Sequence, residues 1–371
     1  MDARNDIIFG TCVNYTWSDI STYAMSIHQS GFRGRKILFV NNLRGNAREK
    51  LLKLGFEVID FTPTMKNVVV ERFKILHDWL TEKNKVDIRY VIHCDVRDVV
   101  VQMDPSPWME KQTAKIFGAS ECIIYKDEAC NPFWVEQLFG RKALETLNNE
   151  EVVCAGTIAG EADAVRRLTK RIFELSTDRF GDDQAALNIL LRSEFKDEMR
   201  IPGPEEGFIL TAGWWLIGAI KENRDQAVGK RSKLMVTPPE LIDGVAYPSR
   251  SILPFCLVHQ YERGNAWLPA IREKYNTTSG LSTKKLEAVI EKARGTVAPN
   301  TFEHFHTQMR DYIRTLQEDG NQNKVEALED RMAELAPDIM FTCMPNTYED
   351  EKHGGPRVKR SWVLLEYLRR S

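Results

Sequence analysis

Hydrophobic and polar positions follow two periods along this chain, and the switches between them mark its elements. Apolar runs too short for a helix stand at 7–9, 36–40, 57–61 and 90–94, punctuated by Asn41-Asn42 and Gly55. Between them apolar residues recur every three or four positions, predicting helices over 23–28, 47–54 and 70–80. The last of these places Val70, Phe73, Leu76, His77 and Leu80 on one face. Strand-sized runs alternating with helical stretches predict an α/β domain whose sheet is mostly parallel, with a helix in each crossover. Further strands are expected at 115–119, 152–158 and 255–258, and helices at 162–175 and 181–191. Past about residue 265 the pattern turns helical. Leu286, Val289, Ile290 and Ala293 form one stripe, 302–316 carries a second, and Val325, Leu328, Met332 and Leu335 a third. The expected organisation is an α/β domain over 1–264 followed by a helical C-terminal region over 265–371.

In a sheet of this kind ligands gather at the carboxyl ends of the strands. Two candidate segments lie there: Thr11-Cys12-Val13-Asn14-Tyr15 after the first strand, and Asp95-Val96-Arg97-Asp98 after the strand at 90–94. Residues three apart on an uninterrupted strand point to opposite faces, so Asp95 and Asp98 converge only if the chain turns between them. Converging carboxylates at such a turn suit Mg²⁺ or Mn²⁺, which take oxygen ligands and substrate phosphates. The competing explanation is structural: Asp95 caps the turn and Asp98 pairs with Arg97 or a nearby lysine. Further along, Asp182 and Asp183 open a helix, where acidic residues also serve as caps. His93 falls inside a strand and is expected in the core. His304 and His306 are two apart on a predicted helix and face apart.

Composition narrows the possibilities. The 371 residues are 43% hydrophobic and 28% charged with a net charge of −2, an ordinary globular profile without the basic excess of a nucleic-acid binder. Seven scattered cysteines contain no CxxC pair, which argues against a zinc ribbon or disulfide framework and for a reducing compartment. The opening MDARNDIIFGTCVNY runs straight into a strand, and no segment approaches the ~20 apolar residues of a membrane span. A cytoplasmic protein is expected, and the sequons at Asn14 and Asn276 carry little weight. There is no P-loop, no G-x-G-x-x-G and no G-x-S-x-G, which removes the main support for nucleotide-hydrolysing, dinucleotide-binding and α/β-hydrolase functions.

An apolar strand, Asp95-Val-Arg-Asp98, a second short apolar strand and then Asp104-Pro105 resemble the metal-binding "DxD" region of GT-A-fold, nucleotide-sugar-dependent glycosyltransferases. This copy is one residue longer than the usual triplet. The segments around it follow in the family's order: Thr11–15, then CAGTIAGEADAV (154–165), then FGDDQAALNILL (180–191) with Asp183-Gln184, then His259 in CLVHQYERG. The second Asp common after the Gln is Ala185 here. The resemblance implies a GT-A (Rossmann-like) sheet and transfer of a sugar from a nucleoside-diphosphate donor, UDP-sugar favoured, to an acceptor hydroxyl, with retention favoured over inversion. It implies Asp95, Asp98 and His259 around a divalent Mn²⁺ or Mg²⁺. Donor-nucleotide contacts would come from Thr11, Cys12, Asn14, Tyr15 and Arg97, with Asp183 and Gln184 beside the reacting carbon. Arg97 would serve either the phosphates or the aspartates. Glu121, Gly156, Trp214 and Trp215 are the acceptor-side candidates, the tryptophans competing with ordinary core burial. Implied partners are a nucleotide sugar and a glycan, lipid-linked or protein acceptor, with no nucleic acid. The basic, apolar segment RVKRSWVLLEYLRRS (357–371) is either a helix packed on the body or a peripheral membrane contact. Two rivals remain: a sugar-1-phosphate nucleotidyltransferase, though 11–17 has neither Gly nor a basic residue, and a non-catalytic sugar-nucleotide-binding or scaffold protein.

Overall fold

The computed structural model describes residues 3–82, 87–128, 130–220, 238–249, 251 and 253–276. The chain divides into two units, residues 1–236 with 255–277, and residues 237–254 with 278–371. The stripes expected at 286–335 and the basic apolar segment 357–371 lie outside the described residues.

The first unit is built on a seven-stranded sheet. In chain order its strands are β1 (Ile7–Val13), β2 (Arg35–Asn41), β3 (Phe56–Asp60), β4 (Tyr90–Cys94), then, after the short β5 (Val99–Val101) of another sheet, β6 (Ile116–Ile124), β7 (Glu151–Glu161) and β8 (Met199–Arg200). They lie in the order β3-β2-β1-β4-β7-β6-β8. The pairs among β1 to β4 are parallel and β6 with β8 is parallel, while β7 runs antiparallel to both its neighbours. This is the mostly parallel, helix-flanked α/β sheet that the alternating pattern predicts. Strands buried on both faces read as continuous apolar runs, as β1 does. Ile8 and Cys12 pack on one face with Ile20, Tyr23, Ala24 and Ile27 of α1 (Trp17–Gln29). Ile7 and Phe9 pack on the other with Leu76, Trp79 and Leu80, two layers set by the period of two along a strand.

Helix α2 (Ala47–Lys53) follows β2, and α3 (Val68–Glu82) links β3 to β4. The short α4 (Ser106–Met109) follows Asp104-Pro105. Two helices that the sequence pattern did not single out, α5 (Cys130–Phe139) and α6 (Arg141–Leu147), connect β6 to β7. Then α7 (Ala162–Leu175) and α8 (Asp182–Leu191) pack with β7 through Val153, Ala155, Ile158, Leu168, Ile172, Ala186 and Leu187.

A smaller sheet sits in the same unit. Strand β9 (Ile209–Thr211) runs parallel to β12 (Leu257–His259), and β12 runs antiparallel to β5. Helix α9 (Gly213–Ile220) follows β9, and α10 (Trp267–Asn276) packs on α1. His93 is fully buried between the Phe9 and Phe73 rings, as expected of a core residue, and burial holds its imidazole well below the usual range. In the second unit the described residues hold a hairpin of β10 (Glu240–Ile242) and β11 (Val245–Tyr247). Its turn is Asp243-Gly244, with φ of 45° and 77°, the Asp-Gly pattern of a tight hairpin loop.

Candidate metal and donor site

The turn after β4 is held from three sides. Gly10 in β1 leaves room for Val96, whose Cγ1 lies 2.3 Å from where a Cβ would stand. The Asp95 amide donates to the Gly156 carbonyl at 2.8 Å, and the Gln260 amide to the Asp98 carbonyl at 2.8 Å. With Val96 buried inside the turn, Asp95 and Asp98 project out of it on the same side.

Strand register brings in the third group. In the antiparallel pair of β5 and β12, His259 lies opposite Val99, the residue after Asp98. A histidine 161 positions away in sequence is thereby placed against both carboxylates, its Nε2 3.3 Å from Asp95 Oδ2 and 3.6 Å from Asp98 Oδ2. One donor atom from each of the three residues falls within 4.8 Å of the others. His259 is buried, yet its Nε2 makes no hydrogen bond, while its Nδ1 lies 3.6 Å from the Cys154 sulfur. Two carboxylate oxygens and an imidazole nitrogen this close together suit a divalent cation of the Mn²⁺ or Mg²⁺ kind in donor type and spacing.

Electrostatics at this point are polarised. Burial disfavours the imidazolium of His259, but Cys154 and Asp98 beside it favour it more, and its pKa is pushed up to about 10. Burial also pushes the Cys154 thiol up, against the pull of His259. Burial works against the Asp98 carboxylate, but His259 and Arg97 outweigh it and hold that carboxyl below its ordinary range.

Gly156, expected on the acceptor side, lies against His259 and Asp95. A Cβ there would lie 2.2 Å from His259 Cε1, 2.6 Å from Asp95 Oδ2 and 2.8 Å from His259 Nε2. The missing side chain is the space that the imidazole and carboxylate occupy.

Arg72, which the sequence pattern hid inside the apolar stripe of α3, ties this cluster to its neighbours. Its guanidinium bonds Asp95, the Ala155 carbonyl at 3.2 Å and Asp183 Oδ2 at 3.3 Å. Asp95 and Asp183 are therefore clamped by Arg72. Arg97 is exposed, has no ion-pair partner among the described residues, and lies near Tyr15, Asp19 and Asp98.

Asp183 and Gln184 enter at the start of α8, where Gly181 at φ 90° turns the chain. Burial pushes the Asp183 carboxyl up, against the pull of Arg72. Gln184 spends its whole amide: Oε1 accepts from the Ala155 amide at 3.0 Å, and Nε2 donates to Glu121 at 3.1 Å and to Asn131 at 2.6 Å. Glu121 also accepts from Trp214 Nε1 at 2.8 Å, and burial pushes its carboxyl up while Gln184 and Trp214 pull it back. Asp95, Asp98, His259, Asp183, Gln184, Glu121, Gly156 and Trp214 are thus one connected set. Trp215 stands apart, its ring 5.7 Å from Trp267.

Among the residues expected to contact a nucleotide, Tyr15 lies near Arg97 and Asp98, and Asn14 is exposed with φ 62°. The Thr11 hydroxyl oxygen is buried without a partner. The Cys12 side chain points into the core, so only its backbone faces the strand end. Sequence reading also missed Asn131, Cys154 and Gln260; none stands in a recognisable spacing, and only the fold brings them in.

No family model matches the chain, and no curated protein matches its sequence. Among solved structures it is similar to the galactosyltransferase LgtC in complex with donor and acceptor sugar analogues, at 14% identity and a TM-score of 0.46, over 75% of this chain and 98% of that one. An active-site mutant of LgtC matches at 13% identity with the same TM-score and the same shares covered. At that identity and overlap no residue role is carried from those enzymes to this chain. No helix among the described residues is long and apolar enough to cross a membrane.

Proposed function

We propose that this protein is a GT-A-type glycosyltransferase that moves a sugar from a nucleoside-diphosphate donor, a UDP-sugar in first place, to an acceptor hydroxyl with retention. The observation that carries it is the convergence of Asp95, Asp98 and the Nε2 of buried His259 at the carboxyl end of β4. Asp95, Asp98 and His259 would hold a divalent cation, Mn²⁺ or Mg²⁺, which supplies Lewis acidity toward the departing diphosphate.

The chain's own residues share the remaining work. Arg97, exposed and without an ion pair among the described residues, would meet phosphate oxygens with its planar fork. Tyr15 and the strand end at 11–14 face the nucleoside. Arg72 fixes Asp95 and Asp183 in one frame, so the donor meets preset groups instead of ordering them on arrival. Asp183 is ion-paired to Arg72 and Gln184 is an amide, so neither is a free base, which favours a mechanism in which the leaving phosphate takes the acceptor proton. Glu121 is the reserve base, held by Gln184 and Trp214 on the acceptor side.

A thermal-shift panel of UDP-, GDP- and CMP-sugars, with and without Mn²⁺, on wild type and Asp95→Ala tests the proposal. A donor that stabilises wild type only with the cation, and not the variant, supports it. No response from any donor, or identical responses from both proteins, rejects it in favour of a non-catalytic role.

A further inference from the structure

On the Nδ1 side of His259 lies a buried thiol that the proposed chemistry does not use. Cys154 is 2% exposed, and its sulfur stands 3.6 Å from His259 Nδ1. Gln260, the residue after the histidine, has φ 60° and directs its side-chain Nε2 to the same sulfur at 3.9 Å. Strand pairing adds a third group. Cys154 of β7 lies opposite Ala119 of β6, and Glu121 is two residues further along β6. A hydrogen bond from the thiol helps hold the Glu121 carboxyl down against burial. One sulfur thus meets an imidazole, an amide and a carboxylate.

The donors and acceptors fix where the protons go. A thiol has one S–H to give, and its sulfur accepts weakly. The Gln260 Nε2 group only donates, so the sulfur accepts from it. Each oxygen of Glu121 already accepts one bond, from Gln184 at 3.1 Å and from Trp214 at 2.8 Å, and a carboxylate among donors takes the thiol proton's bond as well. The S–H is therefore spent on Glu121, and the sulfur offers His259 a lone pair. A neutral imidazole held this way carries its proton on Nδ1 and turns its Nε2 lone pair to Asp95 and Asp98.

We infer that Cys154 is a positioning residue whose thiol, anchored by Glu121 and Gln260, sets the tautomer and orientation of His259 for a divalent cation. The inference rests on the cation site proposed above. Carboxylates, carbonyls and waters serve this role behind most metal-ligating histidines. Here the carboxylate acts through an intervening sulfur. That sulfur joins the histidine to Glu121 and Gln184, so a change at Glu121 reaches the cation site without touching it.

Two measurements on the full chain test it. The S–H stretch of Cys154, isolated by infrared difference against Cys154→Ser, lies at the lowered frequency of a thiol donating to a carboxylate, and it moves up in Glu121→Gln. Calorimetry and pulsed electron paramagnetic resonance with Mn²⁺ and UDP give the second reading. Wild type shows ¹⁴N modulation from one imidazole. Cys154→Ala weakens Mn²⁺ about ten-fold or more and loses much of that modulation, whereas Cys154→Ser, whose hydroxyl both donates and accepts, stays within about three-fold. If Cys154→Ala does not fold, the infrared band in the other proteins decides. An S–H band at the free-thiol frequency, no S–H band, equal losses in Cys154→Ser and Cys154→Ala, or wild-type Mn²⁺ binding in Cys154→Ala overturns the inference and leaves the cation site standing. Wild type that binds Mn²⁺ without imidazole modulation removes the cation site and the inference with it.

Discussion

Replacing Gly156 with alanine puts one methyl group into the centre of the proposed cation site. Its carbon would lie 2.2 Å from His259 Cε1 and 2.6 Å from Asp95 Oδ2, well inside van der Waals contact. Neither neighbour yields easily. His259 is 1% exposed, and Asp95 is held by Arg72 and by its own amide bond to the Gly156 carbonyl. Overpacking of this kind costs about 1–3 kcal/mol, and the relief open to the site is to swing the imidazole away from the carboxylates. Losing one of three protein donors weakens cation binding by about ten-fold or more, since about 1.4 kcal/mol already makes a factor of ten. Gly118→Ala is the control: its Cβ would meet Val153 Cγ1 at 2.7 Å in a purely apolar setting. The assay is Mn²⁺ titration by calorimetry beside urea denaturation. Both variants lose stability by comparable amounts, but only Gly156→Ala loses the cation. Wild-type Mn²⁺ affinity in Gly156→Ala would refute this account of the glycine.

Three further outcomes follow from buried polar groups. Arg72→Met strands Asp95 and Asp183, and breaking such a buried pair costs about 3–5 kcal/mol in urea denaturation; a cost under about 1 kcal/mol would show that Arg72 is not the clamp. Asn188 spans Val153, accepting from its amide at 2.9 Å and donating to its carbonyl at 2.7 Å. Asn188→Ala leaves both unpaired and costs about 2–5 kcal/mol by the same measurement, and an unchanged midpoint would contradict that bracing. Burial lifts the Asp104 carboxyl from its ordinary 3.8 to about 6, so the folded state binds the proton more tightly than the unfolded state does. Stability from this group is therefore present below about pH 4 and is lost as pH rises to about 6, by up to about 3 kcal/mol. Asp104→Asn keeps an acceptor for the Ser106 amide, flattens that slope and is more stable than wild type at pH 7.5. Parallel stability curves for the two proteins from pH 4 to 7.5 would disprove it.

Much of the sheet is legible in the sequence because a strand buried on both faces has nowhere to place a polar residue. The boundaries of β4 and α7 match the expected 90–94 and 162–175. The reversal of β7 is not legible, since strand direction depends on the connections and not on the apolar pattern. Helices α5 and α6 escape for a related reason: they pack on each other, and α5 on α8, with few fully buried residues, so no continuous stripe marks them. At the site, Asp95, Asp98 and His259 are visible as residue types at strand ends, and the register of β5 with β12 then joins them. Arg72 is invisible because a guanidinium among Val70, Phe73 and Leu76 reads as an exposed break in a stripe, whereas three acceptors allow it to be buried. At Gly156 the sequence suggests room for a close approach, and the fold fills that room with the His259 imidazole and the Asp95 carboxylate.

The central claim is that Asp95, Asp98 and His259 hold a divalent cation against a nucleoside diphosphate. Pulsed electron paramagnetic resonance of Mn²⁺ with UDP and the full chain tests it directly. Wild type should show ¹⁴N modulation from one imidazole together with ³¹P coupling from the diphosphate. The nitrogen signal should vanish in His259→Ala, and bound Mn²⁺ should be lost when Asp95 and Asp98 are both changed to Asn. Mn²⁺–UDP that shows no nitrogen coupling in wild type, or binds the double variant unchanged, would contradict the account.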